Sequence, residues 1–470
     1  MPAEYLAQLR GLSRNARLYL ISNVLQAVSA GALTVLYTLY LAALGYDARF
    51  IGLVVLVGTI GGGIGIVPAG PLVDRFGWRA MLVFSDIIGA VALLVQLVYP
   101  RREVILVTTI GVGISLAIVL VVNSPLLAAT SGPRDRTFLF GLNTALTLLV
   151  TVAGELLAGF LPGWFRSPGV AGSGLLQALS PWLVPGAQAR AYELALLVTG
   201  ATALPSIIPV LLLRQPPPAA RPTVAGDAAA YPIGTSAPAL HASAWSARAW
   251  SFVGEARTIA RGAIGRFSLS QALIGLGAGL FAPFVSLYFV NQLHASVGYF
   301  SVVSSAATVL IAGGALVIVP VANRLGKVRT SVVAQLASLP PLVALGLAPT
   351  LPVAAAGYLV HAPLMNAPTP PLQAFLMEHS PEERRGLASG VYNVSWQVAN
   401  AIGAAIGGIL FDQVSHGSVF LVAAALYSIS ILLLALWFGR VESTPHPLAA
   451  KRAPLDDHAP PPPGDPPADG

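Results

Sequence analysis

The sequence predicts an all-α integral membrane protein whose twelve transmembrane helices form two six-helix bundles related by a parallel internal repeat. Of the 470 residues, 55% are apolar and only 10% are charged, which exceeds what a soluble core requires. Twelve apolar segments are long enough to cross a bilayer, and the two halves of the chain match at a constant offset. The absence of Cys excludes disulfides, thiolate metal sites and cysteine nucleophiles, and we expect neither a metal nor a cofactor.

The twelve segments are defined by length, because a hydrocarbon core of about 30 Å requires about 20 apolar helical residues. Prolines at 340, 341, 349 and 352 interrupt the ninth and tenth segments. Segments 1 to 12 cover approximately residues 18–44, 50–70, 79–98, 104–128, 137–161, 191–213, 265–291, 298–320, 328–349, 351–376, 386–411 and 417–438.

The basic residues predict the orientation. The net charge is +7, but the basic residues lie between or beside apolar runs rather than in one cluster, which argues against nucleic-acid binding. An even number of segments places both termini on one side, and 21 of the 26 Lys and Arg residues fall on that side. The positive-inside bias then predicts that both termini lie in the cytoplasm, and we expect a multi-pass protein of the cell inner (plasma) membrane. The first apolar run continues to Leu44 and is too long for a signal peptide.

Composition divides the chain into four regions. We expect an N-terminal bundle at 1–213, a cytoplasmic linker at 214–264, a C-terminal bundle at 265–440 and a disordered tail at 441–470. The linker is rich in Pro and Ala from 216 to 244 and cannot form a core. At its end, apolar residues at helical spacing predict either an interfacial helix or an irregular tether; they are Trp245, Ala249, Phe252, Ala256 and Ile259.

The internal repeat has an offset of 249 residues. This offset carries Arg17 onto Arg266, Pro71 onto Pro320, and further first-half residues onto second-half partners without a register shift, including Arg75 and Arg324, Gly77 and Gly326, Gly141 and Gly390, Gly154 and Gly403, and Gly159 and Gly408. After Gly159 the first half inserts a longer outer loop up to Arg190. Such a register predicts two parallel six-helix units.

The loop between segments 2 and 3 reads Gly70-Pro-Leu-Val-Asp74-Arg75-Phe-Gly77-Trp-Arg79, and it resembles the signature loop of the major facilitator superfamily. The loop between segments 8 and 9, with Asn323, Arg324 and Gly326, is a weakened copy. The resemblance covers about residues 15 to 440. It implies a secondary transporter of a small molecule that works by alternating access in the lipid bilayer, and we expect a monomer.

These two loops are candidate conformational gates. Gly77 permits a tight turn, and Asp74 is an anion that favours a helix N-terminus or an arginine. The resemblance implies a brace between the halves, for which the sequence offers Arg136, Arg384 or Arg385 as partners. Loops that only set the topology are the alternative.

Two acidic residues lie clearly within the membrane-embedded part of a segment, Glu155 in segment 5 and Asp86 in segment 3, and no Lys or Arg lies deep enough to pair with them. An embedded carboxyl group without a cation is suited to reversible protonation, so both are candidates for proton coupling. We expect Glu155 to be the coupling residue. The alternative for Asp86 is a structural acid.

Polar residues at helical spacing predict a central cavity. Thr144, Thr147 and Thr151 precede Glu155 on one face of segment 5, and the repeat carries them onto Asn393, Trp396 and Asn400, which line segment 11 with Gln397. Weaker cavity candidates are Asn23, Gln26, Asn123, Gln271, His361 and Asn366. The alternative is that these groups bond neighbouring helices.

The sequence leaves the substrate open. Val107 stands where bacterial drug antiporters of this superfamily carry an Arg, and segment 5 lacks their Gly-Pro turn. A facilitative or importing permease stays open as an alternative to a proton-coupled exporter. A membrane-embedded enzyme should show converging catalytic groups, and a sensor or scaffold would not need two matched polar faces.

Overall fold

The computed structural model describes residues 12–130, 136–214, 262–381 and 385–439. Every regular element within these ranges is helical. The linker after Arg214, with its predicted interfacial helix, and the predicted tail lie outside the described residues.

The first six segments form the N-terminal half. Segments 2 and 3 are one helix interrupted at Gly77, and segment 6 continues through two short turns. The loop between segments 5 and 6 carries short helices at Pro168–Ala171 and Gly174–Leu179. The main helices are Arg14–Ala43, Ala48–Val98, Arg102–Ala129, Arg136–Phe165, Ala187–Ala201 and Ile207–Leu211.

The last six segments form the C-terminal half. Segments 9 and 10 are each divided in two near the prolines that the sequence contains there. The main helices are Ala263–Phe281, Val297–Leu325, Lys327–Ala337, Leu339–Gly346, Leu351–Asn366, Thr369–Glu378, Arg385–Gln413 and Ser418–Phe438. Eleven spans among the described residues are long and apolar enough to cross a membrane, and the remaining crossing, segment 10, is the one broken at Ala367 and Pro368.

The repeat reappears in the backbone. Gly77 ends segment 2 at φ 81°, and its repeat partner Gly326 ends segment 8 at φ 100°. An L side chain is strained in this left-handed region, whereas glycine is not. Both junctions therefore turn at the residue that the 249 offset selects.

Two contacts, which we call the 5–8 seam and the 2–11 seam, join the halves. Segment 5 packs on segment 8, and segment 2 packs on segment 11. We call the ends of the segments near Arg14, Arg214 and Gly326 the linker side and the opposite ends the far side. The described hydrogen bonds between the halves all lie in the far-side part of the seams.

The buried apolar cores show the same asymmetry. One core cluster contains residues of both halves, such as Leu36 and Phe284, and lies toward the far side. Toward the linker side there are two separate clusters, one around Leu126 in the N-terminal half and one around Phe375 in the C-terminal half. The halves are therefore joined on the far side and separated by a gap that opens on the linker side.

Candidate functional site

The gap is flanked by the linker-side continuation of the two seam faces. On segment 5, Thr144 is exposed and lies on the helical face that carries Glu155 three turns further on. On segment 11, Asn393 and Gln397 are exposed on the face that carries Ala404, which packs against Gly52 of segment 2. Because these faces form the seams on the far side, they face the gap on the linker side.

The remaining members of the two polar stripes are less exposed, and the backbone beside them packs on neighbouring helices of their own half. Thr147 and Thr151 are half-buried, and the Thr151 carbonyl lies against Gly31 of segment 1. Asn400 donates from Nδ2 to the Gly275 carbonyl of segment 7 at 3.3 Å, and the Trp396 backbone packs on the same glycine. Thr144, Asn393 and Gln397 are thus the stripe residues most open to the gap.

Glu155 lies where the gap meets the 5–8 seam. Its side chain is only 2% exposed, although it is about 15 Å from the far end of its helix. Oε1 accepts a hydrogen bond of 3.2 Å from Oγ1 of Thr308 in segment 8. Oε2 is buried without a hydrogen-bond partner among the described residues. The carboxyl group therefore belongs to the contact between the halves.

Segment 8 contributes a row of hydroxyl groups to this contact. Ser301 donates to the Glu155 carbonyl at 2.7 Å, and Ser305 donates to the Val152 carbonyl at 3.4 Å. The hydroxyl of Ser304 lies next to the Glu155 carboxyl group. Our sequence reasoning missed this row, although the spacing of Ser301, Ser304, Ser305 and Thr308 places them on one helical face.

Asp86 belongs to a polar network inside the N-terminal half. Its Oδ1 accepts from Nε2 of Gln26 at 3.1 Å, and the same amide lies 3.4 Å from Oγ of Ser206. Oδ2 of Asp86 is buried without a partner among the described residues. Asn23 bonds to Asn143, and Asn123 accepts from Tyr19. These bonds join segments 1, 3, 4, 5 and 6 and do not cross to the other half.

The candidates of the C-terminal half are spread out. Gln271 is 5% exposed, and its Nε2 has no partner among the described residues. His361 is 2% exposed, its Nδ1 lies 3.0 Å from the Ser338 carbonyl oxygen, and its ring stacks on Tyr427. Aromatic packing thus holds His361 inside the half in this structure, and its role in the cavity stays a prediction. Asn366 is exposed and bonds to the Ala362 carbonyl of its own helix.

The gate loops lie on the linker side, where the halves are apart. Asp74 is exposed and has no hydrogen-bond or ion-pair partner within the described ranges. Arg75 lies over the Phe76 ring, and Arg79 lines a shallow groove with Phe76 and Phe84 that faces away from the gap. Gly70 is half-buried in segment 2, and Asn323 and Arg324 are exposed in the last turn of segment 8.

Of the proposed brace partners, only the side chain of Arg385 is described. It donates from Nε to the Met377 carbonyl at 3.1 Å. The side chain of Arg136 and all of Arg384 lie outside the described residues. A linker-side ion pair that the sequence reasoning did not predict joins Lys327 of segment 9 to Glu378 of segment 10, within the C-terminal half.

Two joined halves of six membrane-crossing segments, a gap between them and a repeat with a fixed offset define a membrane transporter fold. The family model of the Major Facilitator Superfamily matches residues 19–261 and 267–464. The chain belongs to this superfamily and is a multi-pass membrane protein.

Solved structures agree with this assignment at the level of the fold. The chain is similar to the nucleoside transporter NupG, with 13% identity and a TM-score of 0.66 over 91% of this chain and 99% of that chain. A bacterial homologue of the human lysosomal transporter Spinster, inward-facing and occupied, shows 14% identity and a TM-score of 0.65 over 95% and 99%. A D-xylose-proton symporter shows 14% identity and a TM-score of 0.63 over 92% and 97%.

Proposed function

We propose that this protein is a secondary active transporter that moves a small organic solute through the gap between its halves by alternating access. The observation that carries the proposal is the gap itself, which opens on one side only and is flanked by repeat-related polar faces. Opening the two seams while the linker side closes would expose the same faces to the far side.

The polar faces suggest the kind of solute. Asn393, Gln397 and Thr144 offer amide and hydroxyl groups to the gap, and the half-buried Trp396 offers an aromatic surface. Amides that faced hydrocarbon would be costly, so their exposure fits a water-filled cavity. We infer a ligand with an apolar body and hydrogen-bonding edges.

We assign the linker side to the cytoplasm of a bacterial cell, because the topology predicted from the sequence assigns 21 of the 26 basic residues to that side. In this orientation the structure is open to the cytoplasm and closed to the outside. We propose that the protein works as a monomer, because the gap lies between halves of one chain.

We further propose that Glu155 couples transport to protons. Within the described part of the chain no cation pairs with it. Thr308 donates to Oε1, Ser304 and Ser305 lie beside the buried carboxyl group, and Oε2 has no partner there. A carboxylate ion in this site would lose its hydration without a compensating cation, so the closed seam favours the neutral acid. Opening the seam would return the group to water and allow it to ionise.

Uptake and efflux in reconstituted vesicles, over a panel of solutes and with or without a pH gradient, test the coupling. Glu155→Gln should abolish gradient-driven accumulation and keep counterflow exchange, because glutamine resembles the neutral acid but cannot release a proton. Asp86→Asn is the matched control, since Asp86 lies inside one half, and it should retain accumulation.

The outcomes separate the alternatives. A Glu155→Gln protein that still concentrates solute would contradict the coupling role. If Asp86→Asn alone lost accumulation, Asp86 would be the coupling residue. Equilibration without accumulation in the wild type would identify a facilitative permease.

The lining of the gap can be tested in the same chain, which has no native Cys. Single Cys residues at Asn393 and Gln397 should react with a membrane-impermeant thiol reagent added from the linker side, and transported solute should slow the reaction. Val394 and Val398 are also exposed, at 55% and 48%, but lie about 100° further round the helix and should be protected by lipid. Equal labelling of both faces would contradict the assignment.

A further inference from the structure

The geometry points to Thr308 of segment 8 as the positioning residue through which protonation of Glu155 controls the 5–8 seam, while the 2–11 seam has no titratable group at the equivalent depth and carries its carboxylate, Asp412, at the far edge. This inference rests on the proposed proton coupling at Glu155. It adds a second residue, on the other half, and assigns the pH response at this depth to one of the two seams.

The hydroxyl groups of segment 8 bond to different parts of segment 5. Ser301 and Ser305 donate to backbone carbonyls, whose hydrogen-bonding capacity does not change with pH. Thr308 instead donates to a carboxyl oxygen of Glu155. Ser304 and Ser305 also lie beside this carboxyl group, but of the three described hydrogen bonds only the one from Thr308 ends on a carboxyl oxygen and so changes character when a proton binds or leaves.

The repeat-related positions of the 2–11 seam carry different side chains. The 249 offset relates Ser301, Ser304, Ser305 and Thr308 to Gly52, Val55, Leu56 and Thr59 of segment 2, and it relates Glu155 to Ala404. Thr59 keeps the hydroxyl but donates to the Val55 carbonyl of its own helix at 3.0 Å. At the equivalent depth, the 2–11 seam thus contains neither an acid nor a hydroxyl that bonds across it.

The side chains around Glu155 decide which group of the 5–8 seam responds to pH. Among the described residues, Tyr358 of segment 10 is the titratable side chain that interacts with it electrostatically. Segment 1 contributes Gly31, which packs on the Glu155 backbone. The described charged residues of segments 1, 6 and 8 lie toward the helix ends; they are Arg14, Arg17, Arg190, Glu193 and Arg324. Among them, Glu193 accepts a hydrogen bond from the Val184 amide. The pH response of the seam therefore falls to Glu155.

The consequence is a linkage between protonation and closure. If the closed 5–8 seam holds the neutral acid and the open seam allows ionisation, the ratio of closed to open molecules falls as pH rises. One proton permits a change of at most about tenfold per pH unit. Thr308 should act on both forms, but more on the ion, because a hydrogen bond to a carboxylate is roughly twice as strong as one between neutral groups.

The test measures the closed-to-open ratio without any substrate, so it is independent of whether the transport proposal holds. Spin labels on Cys residues introduced at the exposed far-side positions Gly169 and His294 report the 5–8 seam, and labels at Ala43 and Val414 report the 2–11 seam. Distance distributions are recorded over a pH series in lipid nanodiscs.

We expect closure of the wild type to weaken as pH rises and Glu155→Gln to remain closed throughout. Thr308→Val should lower the closed-to-open ratio about fivefold at low pH and about thirtyfold at high pH. Thr308→Ser keeps the hydroxyl and should restore the wild-type curve. Thr59→Val is the matched control in the other seam and should leave the curve unchanged.

Several results would overturn the inference. A wild-type ratio that does not depend on pH would remove it, as would a pH response that persists in Glu155→Gln. A loss in Thr308→Val that is equal at every pH, or matched by Thr59→Val, would reduce Thr308 to a packing residue. If Thr308→Val fails to fold, a Thr308→Ser protein with an altered pH curve would contradict the role of the hydroxyl group.

Discussion

The 5–8 seam and the 2–11 seam place equivalent backbone atoms together with different side chains. In the 5–8 seam, Ser301 donates to the Glu155 carbonyl. In the 2–11 seam, the residue at the same offset is Gly52, and it packs directly on the Ala404 carbonyl. The repeat therefore dictates which backbone segments meet, whereas the side chains decide whether that contact responds to a proton.

This difference gives the two seams different tolerances. Gly408 of the 2–11 seam leaves no room for a side chain, because a Cβ atom there would overlap the Ala48 carbonyl oxygen. Its repeat partner Gly159 in the 5–8 seam is also tight, but a Cβ atom there would overlap Oγ and Cβ of the Ser301 side chain instead of backbone. The 2–11 seam depends on close backbone approach at this point, and the 5–8 seam depends on the contact of a side chain.

The largest expected effect is that of Gly408→Ala. Overpacking against backbone typically costs about 1–3 kcal/mol, so the far-side-closed state should lose about tenfold or more in population, and transport should slow by a similar factor. The matched variant Gly159→Ala should also lose population, because the Cβ of Ser301 cannot rotate away, but Ser301→Gly in the same protein removes the clashing side chain and should recover part of the loss. Transport rates and the label pairs of the two seams measure these effects. A double variant that recovers nothing would contradict the contrast between the seams.

The sequence predicted the helical fold and its repeat because both depend on patterns that are local. Segment length, proline positions and the offset joining Gly77 to Gly326 are visible without any knowledge of packing. The surroundings of Glu155 were harder to predict from the sequence. Its isolation from cations follows from composition, but the identity of the helix that faces it depends on how far the halves are rotated apart.

The candidate site shows where periodicity stops being informative. Thr144 and Thr151 share a stripe, yet Thr144 is exposed and Thr151 is half-buried where the segment 5 backbone packs on Gly31 of segment 1. His361 was predicted to face the cavity because of the segment in which it lies, whereas in the structure its ring stacks on Tyr427. Thr308 was missed because its row of hydroxyl-bearing residues lies in an apolar segment, and only the partner half gives the row a role.

An intermediate effect is expected on the linker side, where the structure leaves the gate loops apart. Asp74→Asn should cut the transport rate about three- to tenfold and shift the population toward the linker-side-open state, because an anion at a helix terminus or beside an arginine stabilises a contact by about 1 kcal/mol. Substrate affinity should stay nearly unchanged. Fluorescence reporters on the linker-side ends of the two halves provide the measurement.

The second loop supplies the control for this prediction. Asn323→Asp adds an acid to the repeat-related loop at the end of segment 8 and should move the population in the opposite direction by a smaller amount. A large loss of affinity in Asp74→Asn, with an unaltered balance of states, would place Asp74 in a substrate site instead of a brace.

The smallest expected effect concerns the far edge of the 2–11 seam. A hydrogen bond there has no counterpart at the repeat-related edge of the 5–8 seam. Oδ2 of Asp412 accepts from the backbone amide of Arg49 at 3.0 Å, at the N-terminus of the segment 2 helix of the other half. The 249 offset relates these two residues to Gly163 and Gly298, which have no side chains to form such a bond.

Asp412→Ala removes one exposed hydrogen bond worth about 1 kcal/mol or less, so the closed-to-open ratio should fall about two- to fivefold. Asp412→Asn keeps an acceptor oxygen but loses the charge at the helix N-terminus, and it should fall between the wild type and the alanine variant. The distances between labels at Ala43 and Val414 should be measured at mildly alkaline pH, where the neighbouring His416 ring is neutral. Burial lowers the pKa of His416, and the nearby Asp412 charge raises it by a smaller amount. A ratio unchanged in Asp412→Ala would show that backbone packing alone closes the 2–11 seam.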